Sequence, residues 1–115
     1  MGRLISQEES LARLLTSNKK VEAYLNAALE EDDPRAFLAA VRNVIKVKGG
    51  FTEISKATNL NREHLYKSFS TKGNPRFDSL NTTLNAMGYK ICIKPDPKVK
   101  DRFKPKKVKS EKIYA

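Results

Sequence analysis

Apolar residues recur along this 115-residue chain at helical spacing, and polar, glycine and proline positions cut the recurrence into segments. Ser6 and Glu9 have the spacing of a capping box ahead of Leu11, Leu14 and Leu15, which predicts a short helix from about Gln7 to Thr16. Ser17, Asn18, Lys19 and Lys20 break it. Val21, Tyr24, Leu25, Ala28 and Leu29 then fall at i, i+3, i+4, i+7 and i+8, one buried helical stripe. The acidic run at residues 30–33 ends that helix. Asp33 is suited to cap the next one, with Pro34 at its first position. Phe37, Leu38, Val41, Val44 and Ile45 form its buried face, and Gly49 and Gly50 stop it.

Residues 50–70, GFTEISKATNLNREHLYKSFS, read as a helix, a tight turn and a second helix. Ile54, Thr58, Leu60, Leu65 and Phe69 take the core positions. Ser55 is small enough to let two helices approach closely. Asn59 stands at the turn, where asparagine tolerates the left-handed conformation better than most residues. Asn61 is placed to cap the second helix. Residues 70–74, STKGN, form a turn-rich loop, and Pro75 opens another helix whose face is Phe77, Leu80, Leu84 and Met87, ended by Gly88. In KICIK, residues 90–94, Ile91 and Ile93 alternate with polar neighbours, which predicts one short β-strand. Pro95 and Pro97 close this region. The expected fold is all-α, a bundle of five to six helices containing the helix-turn-helix, with one C-terminal strand. The expected organisation is an N-terminal helical extension (1–18), a core domain (19–95) and a basic, flexible tail (96–115).

Charge adds a partner class. The chain carries 23 Lys and Arg against 13 Asp and Glu, a net +10. Residues 1–18 are neutral and residues 19–50 carry +1; residues 51–95 carry +4 and residues 96–115 carry +5. Positive charge concentrated on the helix-turn-helix and the tail favours a polyanion. The tail is expected to add sequence-independent phosphate contacts. One cysteine, Cys92, leaves no internal disulfide and suits a reducing cytoplasm. No apolar run reaches membrane-spanning length, and Gln7, Glu8, Glu9 and Arg13 interrupt any secretory signal core.

The second helix of the motif presents Asn61, Arg62, Glu63, Tyr66 and Lys67 on its exposed face. These residue types read the DNA major groove. Arg62 has the donors to bond guanine twice, Glu63 can accept from cytosine, and Tyr66 can pack on a thymine methyl or bond a phosphate. Lys67, Thr71, Lys72 and Arg76 suit backbone phosphates. A solvated helix face has the same composition. The helix and turn preceding this one favour the DNA reading.

From Val21 to Pro95 the chain resembles the addiction-module antidote proteins, in the stretches AYLNAALEEDDPRAFLAAVRNVIKVKGG, FTEISKATNLNREHLYKSFS and GNPRFDSLNTTLNAMGYKICIKP. These are small antitoxins with a Cro/repressor-like helix-turn-helix. The resemblance implies an antitoxin that neutralises a RelE-like toxin and represses its own operon. Members of that family usually have alanine where Ser55 stands and glycine where Asn59 stands.

Two other readings share some of these features. A stand-alone or phage-type repressor would have the same DNA face without a toxin partner. A non-specific nucleic-acid binder would rely on the lysine-rich tail, which has few aromatics among its lysines. An enzyme is not expected: His64 and Cys92 are the only residues of their kinds, so no Cys–His pair or metal cluster is built from one chain, and no cofactor is implied. Operator reading by one short helix calls for a homodimer on half-sites about 34–36 Å apart. The lone strand at residues 90–94 needs a partner, and its symmetry mate is favoured over a toxin strand or residues 3–5, because Ile91 and Ile93 then bury one face.

Overall fold

The computed structural model describes residues 6–103. Six helices follow one another: α1 Gln7–Leu14, α2 Asn18–Leu29, α3 Pro34–Val47, α4 Gly50–Thr58, α5 Arg62–Ser68 and α6 Phe77–Ala86. Each of the first three begins on a side-chain cap written in the sequence. Ser6 accepts from the Glu9 amide, Ser17 from the Lys20 amide and Asp33 from the Arg35 amide, with Pro34 opening α3. Ser17 to Lys20 is therefore not a break. It is the cap and first turn of α2.

α3 is the central element. Val41, Val44 and Ile45 are fully buried along one side of it, and it packs against α1, α2 and α4. α4 in turn packs against α5 and α6. Leu15, just past α1, is buried in the same core, so the N-terminal helix is fastened to the body. On α6 the buried residues are Thr83 and Leu84, with Met87 just beyond.

The expected C-terminal strand does not form, and no strand occurs among the described residues. Tyr89 is half-buried against the core, but from Lys90 the chain runs exposed, and Ile93 is 97% accessible. The alternation in KICIK is a local signal, whereas a strand needs a neighbour to take its backbone donors and acceptors. Among the described residues none lies alongside; residues 3–5, one candidate partner, lie outside them. Residues 104–115 of the tail also lie outside the described residues. Two side chains assigned to buried stripes are exposed instead: Leu29 at 58% and Phe77 at 66%. Both sit in a terminal turn of their helices, where the periodicity continues and the covering neighbour does not. α6 also starts at Phe77, with Arg76 at the N-cap position, and not at Pro75.

Candidate nucleic-acid interface

α4, the turn and α5 are wired together by side chains. Asn59 takes φ 61 and ψ 20, the left-handed region, and is the only residue other than glycine to do so among those described. Its amide donates to the Ser55 carbonyl at 2.8 Å. The Thr58 hydroxyl donates to the Ile54 carbonyl (2.7 Å) and accepts from the Leu60 amide (3.2 Å). The Ser55 hydroxyl donates to the Leu60 carbonyl at 2.5 Å. Serine here does more than stay small: it fixes the turn's second carbonyl.

Asn61 then caps α5, its side-chain oxygen accepting from the His64 amide at 2.9 Å. Leu65 and Phe69 point inward and are buried. The Phe69 carbonyl accepts from Arg42 Nη1 of α3 at 2.7 Å, which anchors the far end of α5. Phe51 stands edge-on to Tyr66, ring centres 5.5 Å apart, and tilted against Phe69 at 6.4 Å. An aromatic bridge thus runs from the core to the outer face.

That outer face holds Asn61, Arg62, Glu63, Tyr66 and Lys67, all exposed, together with His64. Arg62 is not loose: its Nε donates to the Thr52 hydroxyl of α4 at 3.0 Å. This leaves the two terminal nitrogens of the guanidinium without a hydrogen bond among the described residues. Thr52 went unnoticed in the sequence, because a threonine on the polar side of a helix carries no periodic signal. It stands in the first turn of α4, away from the turn at residues 59–61, and only the packing of the two helices brings it to Arg62.

The loop after α5 is equally constrained. The Ser70 hydroxyl and amide both donate to the Lys67 carbonyl, at 2.6 and 3.2 Å, and the Gly73 amide donates to the Ser70 carbonyl at 2.9 Å. Thr71 and Lys72 stand exposed at the tip of this turn. Gly73 makes the turn possible: a Cβ there would collide with the Lys67 and Ser68 carbonyls at the end of α5. The turn-rich loop expected at residues 70–74 is thus bound to its glycine by close backbone approach. Ser70 and Thr71 share a shallow cleft with Arg42 and the Asp33–Arg35 pair. Arg76 differs from the rest. It occupies the N-cap position of α6 without a side-chain cap bond, exposed, with Nε 3.6 Å from an Asp78 oxygen. Such an exposed pair is weak and leaves the arginine free to move to another anion.

The chemistry of the face is that of charge and hydrogen bonding. Among the described residues no group of three or more His, Cys, Asp or Glu side chains converges in a way that could hold a metal ion. No helix of the described residues is long and apolar enough to cross a membrane.

Comparison with known proteins agrees in extent with the folded body. Residues 6–95 match the family model described as "Probable addiction module antidote protein". An uncharacterized protein of Haemophilus influenzae is 29% identical over 83 residues, which cover 72% of this chain and 84% of that protein. No solved structure matches the chain.

Proposed function

The chain belongs to the probable addiction module antidote protein family, and on that premise we propose that it is a DNA-binding antitoxin that neutralises a RelE-like toxin and represses its own operon. α4, the turn and α5 act as a helix-turn-helix, and residues 19–95 are the reading domain. The protein works in the cytoplasm as a binding protein and not as an enzyme, and it reads its operator as a homodimer.

The observation that carries the DNA reading is the pairing of Arg62 with Thr52 across the two helices. A guanidinium fixed through Nε presents its two remaining nitrogens in a fixed plane, the arrangement that bonds guanine O6 and N7 together. Glu63, Tyr66 and Lys67 flank it, and Lys72 and Arg76 have the charge to contact backbone phosphates. Residues 51–95 hold seven basic side chains against three acidic ones, which adds the attraction that any duplex feels.

Mobility shift with DNA from upstream of the gene tests the reading. Arg62→Ala should lose roughly 1–3 kcal/mol of binding and the preference at one base pair. Lys72→Ala should weaken all sequences alike. Binding of Arg62→Ala that equals wild type at every base substitution would remove Arg62 from the interface. The toxin half has its own test: co-expression with the adjacent reading frame should rescue growth and yield a co-purifying complex.

A further inference from the structure

The side of the molecule built by α2 and α6 is the opposite in character from the α4–α5 face. Leu29 of α2 and Phe77 of α6 are more than half exposed, and both line a groove of about 660 Å³. Leu25 and Leu84 are its buried lining residues, and residues 88–94 contribute Ile91 to it. No residue of α4, of α5 or of the loop at 69–76 takes part. The groove can therefore be filled while α5 lies on DNA.

The charges beside the apolar centre indicate what fills it. Glu22 of α2 lines the groove, and Lys90 and Lys94 line it from the segment after α6. A rim of one sign would select a partner of the other. A mixed rim suits a two-fold pairing, in which one patch meets its own copy and each residue i facing j is repeated as j facing i. Two copies packed this way bring Glu22 of each against the lysines of the other. Leu29 and Phe77 of both are then withdrawn from water. We propose that this groove is the face through which two copies of the chain associate. The inference deepens the operator reading, which needs two copies, and the association itself can be tested without DNA.

Sedimentation of the full chain is the experiment. Wild type is expected to be dimeric, and Leu29→Glu or Phe77→Glu should raise the dimer dissociation constant by a hundredfold or so, because each places a carboxylate in the apolar centre twice. Both positions are exposed, so far-UV circular dichroism and the melting profile of the protomer should be unchanged. A charge swap gives an independent arm. Glu22→Lys should weaken the dimer about tenfold, and adding Lys90→Glu and Lys94→Glu should restore most of it. A wild type that stays monomeric, or a dimer that none of these variants weakens, overturns the proposal. So does a monomeric wild type from which Phe77→Glu releases a co-expressed toxin, since the groove would then belong to the toxin. A dimer disrupted as expected that binds no operator leaves the groove assignment standing and removes the DNA reading. A monomer that binds operator does the reverse.

Discussion

Phe69 and Phe77 lie eight residues apart, on either side of one turn, and have opposite surroundings. Phe69 closes α5 with no accessible surface, packed near Phe51 and holding the Arg42 guanidinium on its carbonyl. Phe77 opens α6 and is two-thirds exposed. The same residue type is on one side the keystone under a polar face and on the other part of an apolar face. The difference separates two kinds of surface. The α4–α5 side spends its apolar residues inward and shows hydrogen-bonding groups. The α2–α6 side shows the apolar residues themselves.

The sharpest way to break this contrast is to truncate both rings. Phe69→Ala should cost roughly 3–5 kcal/mol, the range for a buried ring that leaves a cavity. For a domain of ordinary stability that is a large share of the total. Phe77→Ala in the dilute protomer should change stability by no more than about 0.5 kcal/mol. Chemical denaturation at low protein concentration measures both. Repeating it at high concentration sharpens the result: if the α2–α6 groove joins two copies, wild type gains stability with concentration and Phe77→Ala gains less. Equal losses for the two variants would mean that Phe77 belongs to the core after all.

Next in size are the two backbone positions that shape the polar side. Gly73→Ala places a methyl group against two carbonyls of α5, and neither can retreat without unwinding the helix end. A loss of about 2 kcal/mol is expected, together with displacement of Thr71 and Lys72. Asn59→Ala forces alanine into the left-handed region and should cost about 1 kcal/mol, whereas Asn59→Gly should be close to neutral. Urea midpoints rank the three. If Asn59→Ala matches wild type, the turn has another conformation open to it.

These cases also show what was legible in the chain. Asn59, Asn61, Leu65 and Phe69 were assigned correctly because each obeys a local rule: a left-handed turn residue, a cap, and apolar residues at helical spacing. The exposure of Asn61, Arg62, Glu63, Tyr66 and Lys67 followed from the same phase. Leu29 and Phe77 were misread because periodicity fixes which way a face points and not where its covering neighbour ends. The strand at residues 90–94 failed for a related reason, since pairing is a non-local property and alternation is not. Thr52, Arg42 and the close contact at Gly73 gave no signal at all. Each depends on what a second element brings near, and a single sequence does not display that.

The smallest expected effect lies at the edge of the polar side. Asp33 caps α3 and helps line the cleft beneath Ser70 and Thr71. Its carboxylate accepts from the Arg35 side chain, with Nη2 at 3.1 Å, and from the Arg35 amide at 2.9 Å. The side-chain hydrogen bond first, and the amide second, hold its pKa below the ordinary 3.8. A group depressed in the folded state stabilises the fold fully above its unfolded value. That contribution shrinks as the pH falls through the folded one, because the unfolded chain takes up the proton more readily. Asp33→Asn keeps a capping oxygen and removes the charge. The stability difference between wild type and Asp33→Asn should therefore be constant at neutral pH and close as the medium is acidified past the ordinary carboxylate value. The pair is exposed to solvent, so added salt should narrow the gap as well. Melting curves of the two proteins across acid pH measure it. A gap that is the same at every pH would show that the Asp33 charge, and with it the Arg35 guanidinium, adds nothing to the cap that the Arg35 amide makes.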